Sequence, residues 1–541
     1  MPARSDASVK RLTLIACILG SGIALLDGTV VNVALPTIQQ ALGGGLAAQQ
    51  WVVNGYLLTL GSLILLGGSL GDLYGERRIF ELGVVGFGIA SLGCALAPSI
   101  GWLVAARAVQ GVTSALLTPA SLAVIVNTFP ESERGGAIGA WTAWGTIAAV
   151  LGPLLGGELL AIASWRWIFV INVPFVAVCV ALIRIALPQA QPRETGTRRV
   201  DVPGALMCAG GLGGAVFALI EQPRLGWSSP GVLGPLLGGA ALLGAFVLYE
   251  SRAGDPMLPL RLFRRRNFSA GNIETFSMYA GLAIVFFFLI LFLQQIGGYS
   301  PLKSGLTTLP VTVVMFLLSR RFGALADRFG PRLFMGGGPL VCAAGLLLFQ
   351  GMGVHVDYLR DVLPALVLFA LGLSMTVAPL TAAVLADATS QDAGIASGVN
   401  NAIARVAGLM GTAAVGAAVA GSFVADLDSR LSGVRLGAAA RAAVAQAKRL
   451  PLGRPDVHAL PAAQARALSR AAEQASLHSF HVGMAIAAVL LAAGGLIGAI
   501  GIRNRRGTVA AERCASGQLV GVGRELAHAG AARTGEPGRA A

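Results

Sequence analysis

The chain is patterned as long apolar stretches separated by short polar breaks. Fourteen runs, each long enough to cross a bilayer as a helix, begin near residues 12, 50, 79, 101, 135, 167, 203, 231, 270, 305, 333, 361, 395 and 481. A helix needs about 20 apolar residues to span the hydrocarbon core, and these runs supply them. An even number of crossings puts both termini on one side. Arginine and lysine mark that side: Lys10, Arg11, Arg77, Arg78, Arg134, Arg193, Arg198, Arg199, Arg252, Arg261, Arg264–Arg266, Arg320, Arg321, Arg328 and Arg332 fall there with Arg4. The short breaks opposite hold Arg166, Arg224, Lys303 and Arg360. By the positive-inside rule both termini are expected in the cytoplasm, across a cell inner membrane. Residues 422–480 form a long basic, alanine-rich segment on the outer side, where the rule has little force. The tail 506–541 is polar and glycine-rich, and is expected to be disordered.

Composition sharpens this picture. The 541 residues are 55% hydrophobic and 12% charged, with a mean hydropathy of +0.73. A soluble chain of this size could not hide so much apolar surface. The net charge of +14 reflects membrane sidedness, so no nucleic-acid partner is expected. Five of the six cysteines lie in apolar runs without ligand spacing and read as packing residues. His478 and His481 have no further ligand beside them, so no metal site is expected. There is no GxxxxGK[ST] loop for a nucleotide and no nucleophile–base set for an enzyme.

An internal repeat sets the architecture. "GSLGDLYGER" (68–77) and "GALADRFGPR" (323–332) place Gly, Asp, Gly and Arg at the same offsets. Eight spans separate them, so the copies point the same way. Two parallel halves around a central pathway form a transporter layout. The chain is therefore read as an all-α polytopic membrane protein. A six-helix bundle over 1–190 and another over 256–505 flank two inserted spans in 191–255, and the tail follows.

Several charged residues lie inside the spans. Asp27, in "LLDGTVVNVALP", shares a helical face with Ala24, Val31 and Ala34. A mid-membrane carboxylate costs about 2.5–3.5 kcal/mol on insertion scales and so faces the interior. It is either a proton or cation site or a structural anchor. Arg107 is followed on one face by Gln110, Gly111 and Ser114 and needs a partner of its own. Glu274 is a candidate second titrating group, or an interfacial acid paired with Arg264–Arg266. In the fifth span Gly145, Ala148, Gly152, Gly156 and Gly157 make a narrow face bent by Pro153, for sliding or for plain tight packing. Asp72 and Asp327 stand beside arginines at helix ends, as latches or as markers of sidedness. Asn32, Gln110, Phe286, Gln294, Gln295, Asn400 and Asn401 are candidate pocket residues.

Taken together, "LDGTVVNVALP" (26–36), "GSLGDLYGERR" (68–78), "RAVQG" (107–111), "LGPLLGG" (151–157), "WRWIFVINVP" (165–174) and "NNAIARVAGLMGTA" (400–413) resemble the major facilitator superfamily, specifically its fourteen-span drug:proton antiporter branch. The resemblance covers about 12–505 and implies the major facilitator fold with two extra helices. It implies proton coupling through Asp27, Arg107 and Glu274, with a gating motif at Gly68, Asp72, Gly75, Arg77 and Arg78 that Asp327 echoes. It implies an antiporter motif at Ala148, Gly152, Pro153, Gly156 and Gly157, although the family pattern has Gly where this chain has Ala148. The expected activity is multidrug efflux: export of hydrophobic or cationic drug-like compounds against protons, driven by the proton gradient without a cofactor. The implied partners are a small amphipathic substrate, protons and membrane lipid. A periplasmic adaptor stays open, and the chain is expected to act as a monomer. The alternatives are a same-fold exporter of one metabolite, siderophore or self-made antibiotic, and a membrane sensor that does not transport.

Overall fold

A computed structural model describes residues 6–187, 200–386, 393–434 and 436–504. Arg4, Arg193, Arg198, Arg199, Arg435, Cys514 and the tail 506–541 lie outside the described residues. The described elements are helices, with no strand among them. In chain order they are α1 (Asp6–Leu42), α2 (Leu46–Tyr74), α3 (Glu76–Ala95), α4 (Ile100–Thr128), α5 (Glu131–Ile162), α6 (Trp167–Val170), α7 (Asn172–Ala186), α8 (Val202–Leu225), α9 (Pro230–Glu250), α10 (Arg266–Gln295), α11 (Pro301–Leu306), α12 (Leu309–Phe329), α13 (Pro331–Leu348), α14 (Leu363–Ala386), α15 (Ala393–Leu431), α16 (Ala438–Ala447) and α17 (Ala462–Gly501). Among the described residues 13 segments are long and apolar enough to cross a membrane, with α6–α7 and α11–α12 each making one span. The remaining expected span is α5, 32 residues long with an apolar stretch at Leu151–Ile162. The protein is thus a multi-pass membrane protein.

The repeated motif is also a repeat in space. Gly75 joins α2 to α3 at φ 91°, and Gly330 joins α12 to α13 at φ 90°. Glycine is required because this left-handed backbone pushes a Cβ into the following carbonyl. The arginine two residues on does the same work in both copies. Arg77 donates to Leu187 O just past α7, at 2.5 Å, and Arg332 donates to Ala499 O in the last turn of α17, also at 2.5 Å. Each cation meets the negative end of a helix dipole. Asp72 and Asp327 are both exposed at these corners.

The inserted pair is held by small residues. On α8, Gly211 and Gly214 meet Gly239 and the Pro235 carbonyl of α9, too close for a Cβ to fit without movement. Val216 and Ile220 of α8 then pack with Leu409 and Ala413 of α15, against the α2–α15 seam. The window of α9 is only 17% buried, leaving Leu237 and Leu248 outward. Such exposed apolar surface is stable only against lipid.

The segment 422–480 is largely helical, as its alanine content allows. Instead of ending near its boundaries, α15 continues to Leu431 and α17 begins at Ala462. With α16 between them, Phe423, Leu427, Val444, Leu468 and Ala475 form a separate small core. Alanine favours helix and buries without side-chain entropy cost, which explains the extension. This cap touches both halves. Arg454 donates to Gln295 O (2.9 Å) and Ile296 O (3.3 Å) of the α10 end, while the Arg449 carbonyl abuts Gly45 before α2. Beneath it Gln294 donates to Val33 O of α1 (3.0 Å), and α5 packs on α11 through Gly157 and Gly305. The end of the bundle opposite the termini is therefore closed.

Candidate functional site

Asp27 sits in the middle of α1, fully buried, and Arg107 of α4 is 1% exposed. The two form an ion pair through Arg107 Nη1 and Asp27 Oδ2. The carboxylate accepts twice more: from Gln110 Nε2 at 3.0 Å and from Asn172 Nδ2 at 3.0 Å, both onto Oδ1. Arg107 also donates to Val52 O of α2 (3.1 Å) and to Gln110 Oε1 (2.7 Å). Its guanidinium lies over the Tyr56 ring, 4.4 Å from the centroid. Ser91 of α3 accepts from Asn172 (2.9 Å) and donates to Phe169 O (2.9 Å). One acid thus ties together α1, α2, α3, α4 and the α6–α7 break. A buried pair is stable only when the remaining donors and acceptors are filled, as nearly all are here. Such a site holds a carboxylate against Arg107 with both of its oxygens accepting hydrogen bonds.

Local sequence produces this placement. Gln110 follows Arg107 by one turn and so shares its face. Asn172 opens α7, one residue after α6 ends, and its amide reaches Asp27 of α1. On the other side of α1, α5 comes close because its motif lacks side chains: a Cβ on Gly152 would overlap the Thr29 hydroxyl and lie 3.0 Å from Leu26 O, and one on Gly156 would overlap Val30. Gly145 faces Leu25 and Ala148 faces Gly22, so Ala148 is accommodated by a glycine across the seam. Pro153 abuts Gly305, joining this face to α11.

Glu274 of α10 lies apart from that network. It is fully buried, and both carboxylate oxygens are without a hydrogen-bond partner. Its neighbours are the glycine face of α17 and the α13 backbone: a Cβ on Gly498 would overlap Glu274 Oε2 and sit 2.8 Å from Met335 O. The arginine pairing does not form. Arg266 instead donates to Gly501 O (2.8 Å) and Ile500 O (2.7 Å).

The polar pocket candidates do not converge on one site. Gln110 belongs to the Asp27 network and Gln294 to the closed end, where it also reaches Ser304 at 2.8 Å. Asn400 bridges α15 to α10, donating to Asn272 Oδ1 (3.0 Å) and Thr275 Oγ1 (2.7 Å). Asn32 keeps a buried Oδ1 without a partner, and Phe286 packs on the main core. A small apolar cavity of about 20 Å³, room for about one water, is lined instead by Met278, Tyr279, Leu282, Met315, Leu373 and Val377 of α10, α12 and α14. Sequence reasoning missed these residues because apolar side chains in a span look alike whether they face core, lipid or cavity. It also missed Ser91 and Asn172, although Asn172 was visible as an amide inside the quoted "WRWIFVINVP". Glu158 is exposed at the end of α5, and Glu221 pairs with Arg224 at 2.9 Å.

Comparison with known proteins gives one consistent answer. A family model described as Major Facilitator Superfamily matches residues 17–412. The chain is 37% identical over 421 residues to the puromycin resistance protein pur8 of Streptomyces alboniger, covering 76% of this chain and 82% of that one. It is 33% identical over 507 residues to the tetracenomycin C resistance and export protein of Streptomyces glaucescens, covering 90% of both. Among solved structures, a bacterial homologue of the human lysosomal transporter Spinster, in an inward-facing and unoccupied conformation, superposes with a TM-score of 0.58. At 16% identity it covers 92% of this chain and 99% of its own, a likeness of fold.

Proposed function

The chain belongs to the Major Facilitator Superfamily, and from that premise we propose that it is a proton-coupled antiporter exporting amphipathic, drug-like compounds by alternating access across the cytoplasmic membrane, with both termini inside. It is a membrane transporter and not an enzyme; its relatives are resistance and export proteins. The observation that carries the coupling is the Asp27–Arg107 pair. A carboxylate at the hub of five chain segments cannot change charge without loosening the helices that it holds. Protonation removes the anion that Arg107 needs, so the state of one proton biases how α1 and α4 pack. The glycine face of α5 against α1 gives those helices a smooth surface on which to shift. The two corners at Gly75 and Gly330 mark the face that must open to load substrate from inside.

A second reading keeps the mechanism and narrows the cargo to one self-made antibiotic. The relatives named for resistance to a single antibiotic, puromycin and tetracenomycin C, favour it. Inverted vesicles loaded with protein test the common part. An imposed pH gradient should drive dye accumulation, and Asp27→Asn should abolish it. Accumulation that ignores the gradient would refute proton coupling.

A further inference from the structure

The inserted helices bring together two acids that stand apart from the Asp27 network. Asp201 caps the start of α8, its Oδ1 accepting from Gly204 N at 2.8 Å. Glu250 is the last residue of α9 and is 3% exposed; its Oε2 accepts from Leu258 N at 3.0 Å. These backbone donors leave one oxygen of each carboxyl, Asp201 Oδ2 and Glu250 Oε1, buried and without a hydrogen-bond partner. The two bare oxygens flank one point: a Cβ on Gly204 would overlap Asp201 Oδ2 and lie 2.8 Å from Glu250 Oε1. They stand no further apart than those two short distances added together, and the missing side chain at Gly204 is what lets them approach. Among the described residues neither acid is in an ion pair. Cys208 of α8 and Tyr249 of α9 face the pair. The strap 251–265 that follows α9 carries Arg252, Asp255 and Arg261, all exposed, and meets Glu250 through the Leu258 amide.

Two ionised carboxylates this close repel each other, and each bare oxygen is a buried acceptor with nothing to accept. One proton removes both faults, because the carboxyl that carries it donates an O–H to the bare oxygen of the other. We propose that Asp201 and Glu250 share a single proton and form a pH-sensitive clasp on the face of the protein that holds the end of α17. The clasp joins three segments. It holds the start of α8 to the end of α9 and, through Leu258, holds both to the strap, whose Leu262 is buried with Phe268, Ala270 and Leu380 of the second half. Loss of the proton to water leaves two like charges facing each other and loosens the strap from the inserted helices. The proton concentration at that face thus sets how firmly the inserted pair is tied to the second half. The clasp does not depend on the export reading; only the assignment of its face to the cytoplasm comes from the orientation proposed above.

The test is equilibrium unfolding of the full-length protein by SDS in mixed micelles at a series of pH values. In the unfolded chain both acids are ionised above about pH 5. The folded protein then holds one proton more, so its stability falls as pH rises until the pair ionises. Asp201→Asn keeps the helix cap and puts a permanent amide donor where the proton sits. The unfolding constant of the unmodified protein, divided by that of Asp201→Asn, should rise about tenfold per pH unit above about pH 5 and level off once the pair has ionised. Glu250→Gln should give the same curve, and it stands in if Asp201→Asn does not fold. Infrared difference spectra between the unmodified protein and either variant should show one protonated carboxyl lost on the acidic side of that levelling. Parallel pH curves for unmodified protein and variants, or no protonated carboxyl in the difference spectrum, would overturn the clasp. So would stability that follows added Mg²⁺ and EDTA instead of pH, since the pair would then hold a metal ion.

Discussion

Two buried acids, one in each half of the protein, solve the same problem in opposite ways. Asp27, in the first half of the chain, is surrounded by donors: Arg107, Gln110 and Asn172 all reach it. Glu274, in the second half, is equally buried and has no donor at either oxygen. Donors from three side chains therefore meet the oxygens of Asp27, whereas none among the described residues meets those of Glu274. The contrast shows that burial alone does not say what a membrane carboxylate does. The partners around it decide what its removal does. It also separates the consequences of removing each acid, in ways that experiments can rank.

The largest effect is expected where charge is paired. Asp27→Asn leaves Arg107 buried without its anion, which should lower unfolding stability by about 3–5 kcal/mol and stop pH-driven efflux. Arg107→Gln should cost a similar amount. The double variant Asp27→Asn/Arg107→Gln removes both charges, so it should regain most of the stability while remaining inactive. Thermal unfolding in detergent, set beside vesicle efflux, reads the two quantities apart. A double variant as unstable as either single one would mean that the pair is not what holds the five segments together.

Packing around each acid comes next. Gly152→Ala would press a methyl into Thr29 and Leu26 beside the Asp27 site, and Gly498→Ala would press one into Glu274 and Met335 O. Each should cost about 1–3 kcal/mol, the usual penalty for overpacking. Gly136→Ala, on the same helix as Gly152 but with nothing within 4 Å, should be close to neutral. Gly152→Ala should also slow efflux, because α5 could no longer lie flat on α1. Equal transport by the Gly152 and Gly136 variants would reduce the α5 face to plain packing.

How much of this was legible in the sequence follows from the kind of signal each part leaves. Span positions and the doubled corner at Gly75 and Gly330 were readable, since hydrophobic run length and glycine spacing are local. Asp27, Arg107 and Glu274 stood out because charge within an apolar run is rare. What joins them was not readable. Asn172 reaches Asp27 from 145 positions away, and nothing local says so. The same holds for Glu274, whose isolation depends on where the α17 glycines fall. The alanines of the cap at 431–462 allow helix, but its core of Phe423, Leu427, Val444 and Leu468 joins three helices far apart in the chain, and nothing local says so.

The smallest change in folding is expected at Glu274 and gives the sharpest distinction. Glu274→Gln keeps shape and exchanges one unpartnered buried group for another, so its cost should stay below the 3–5 kcal/mol expected at the paired acid, at about 1–3 kcal/mol or less. Its effect on coupling is a question of charge. For a neutral cargo, one inward proton moves one charge, worth about 2.3 kcal/mol per 100 mV. With pH held equal on both sides, that supports a gradient of roughly 50-fold. If Asp27 alone carries protons, Glu274→Gln should leave this limit unchanged. If Glu274 carries a second proton, the unmodified protein should exceed about 1,000-fold and the variant should fall back to roughly 50-fold. Potassium-ionophore clamping of vesicles at a series of voltages measures the slope directly. A slope of two charges falling to one in Glu274→Gln makes the bare acid a working proton site. A slope of one in both proteins makes it a neutral filler against the α17 glycines, and the coupling then rests on the paired acid alone.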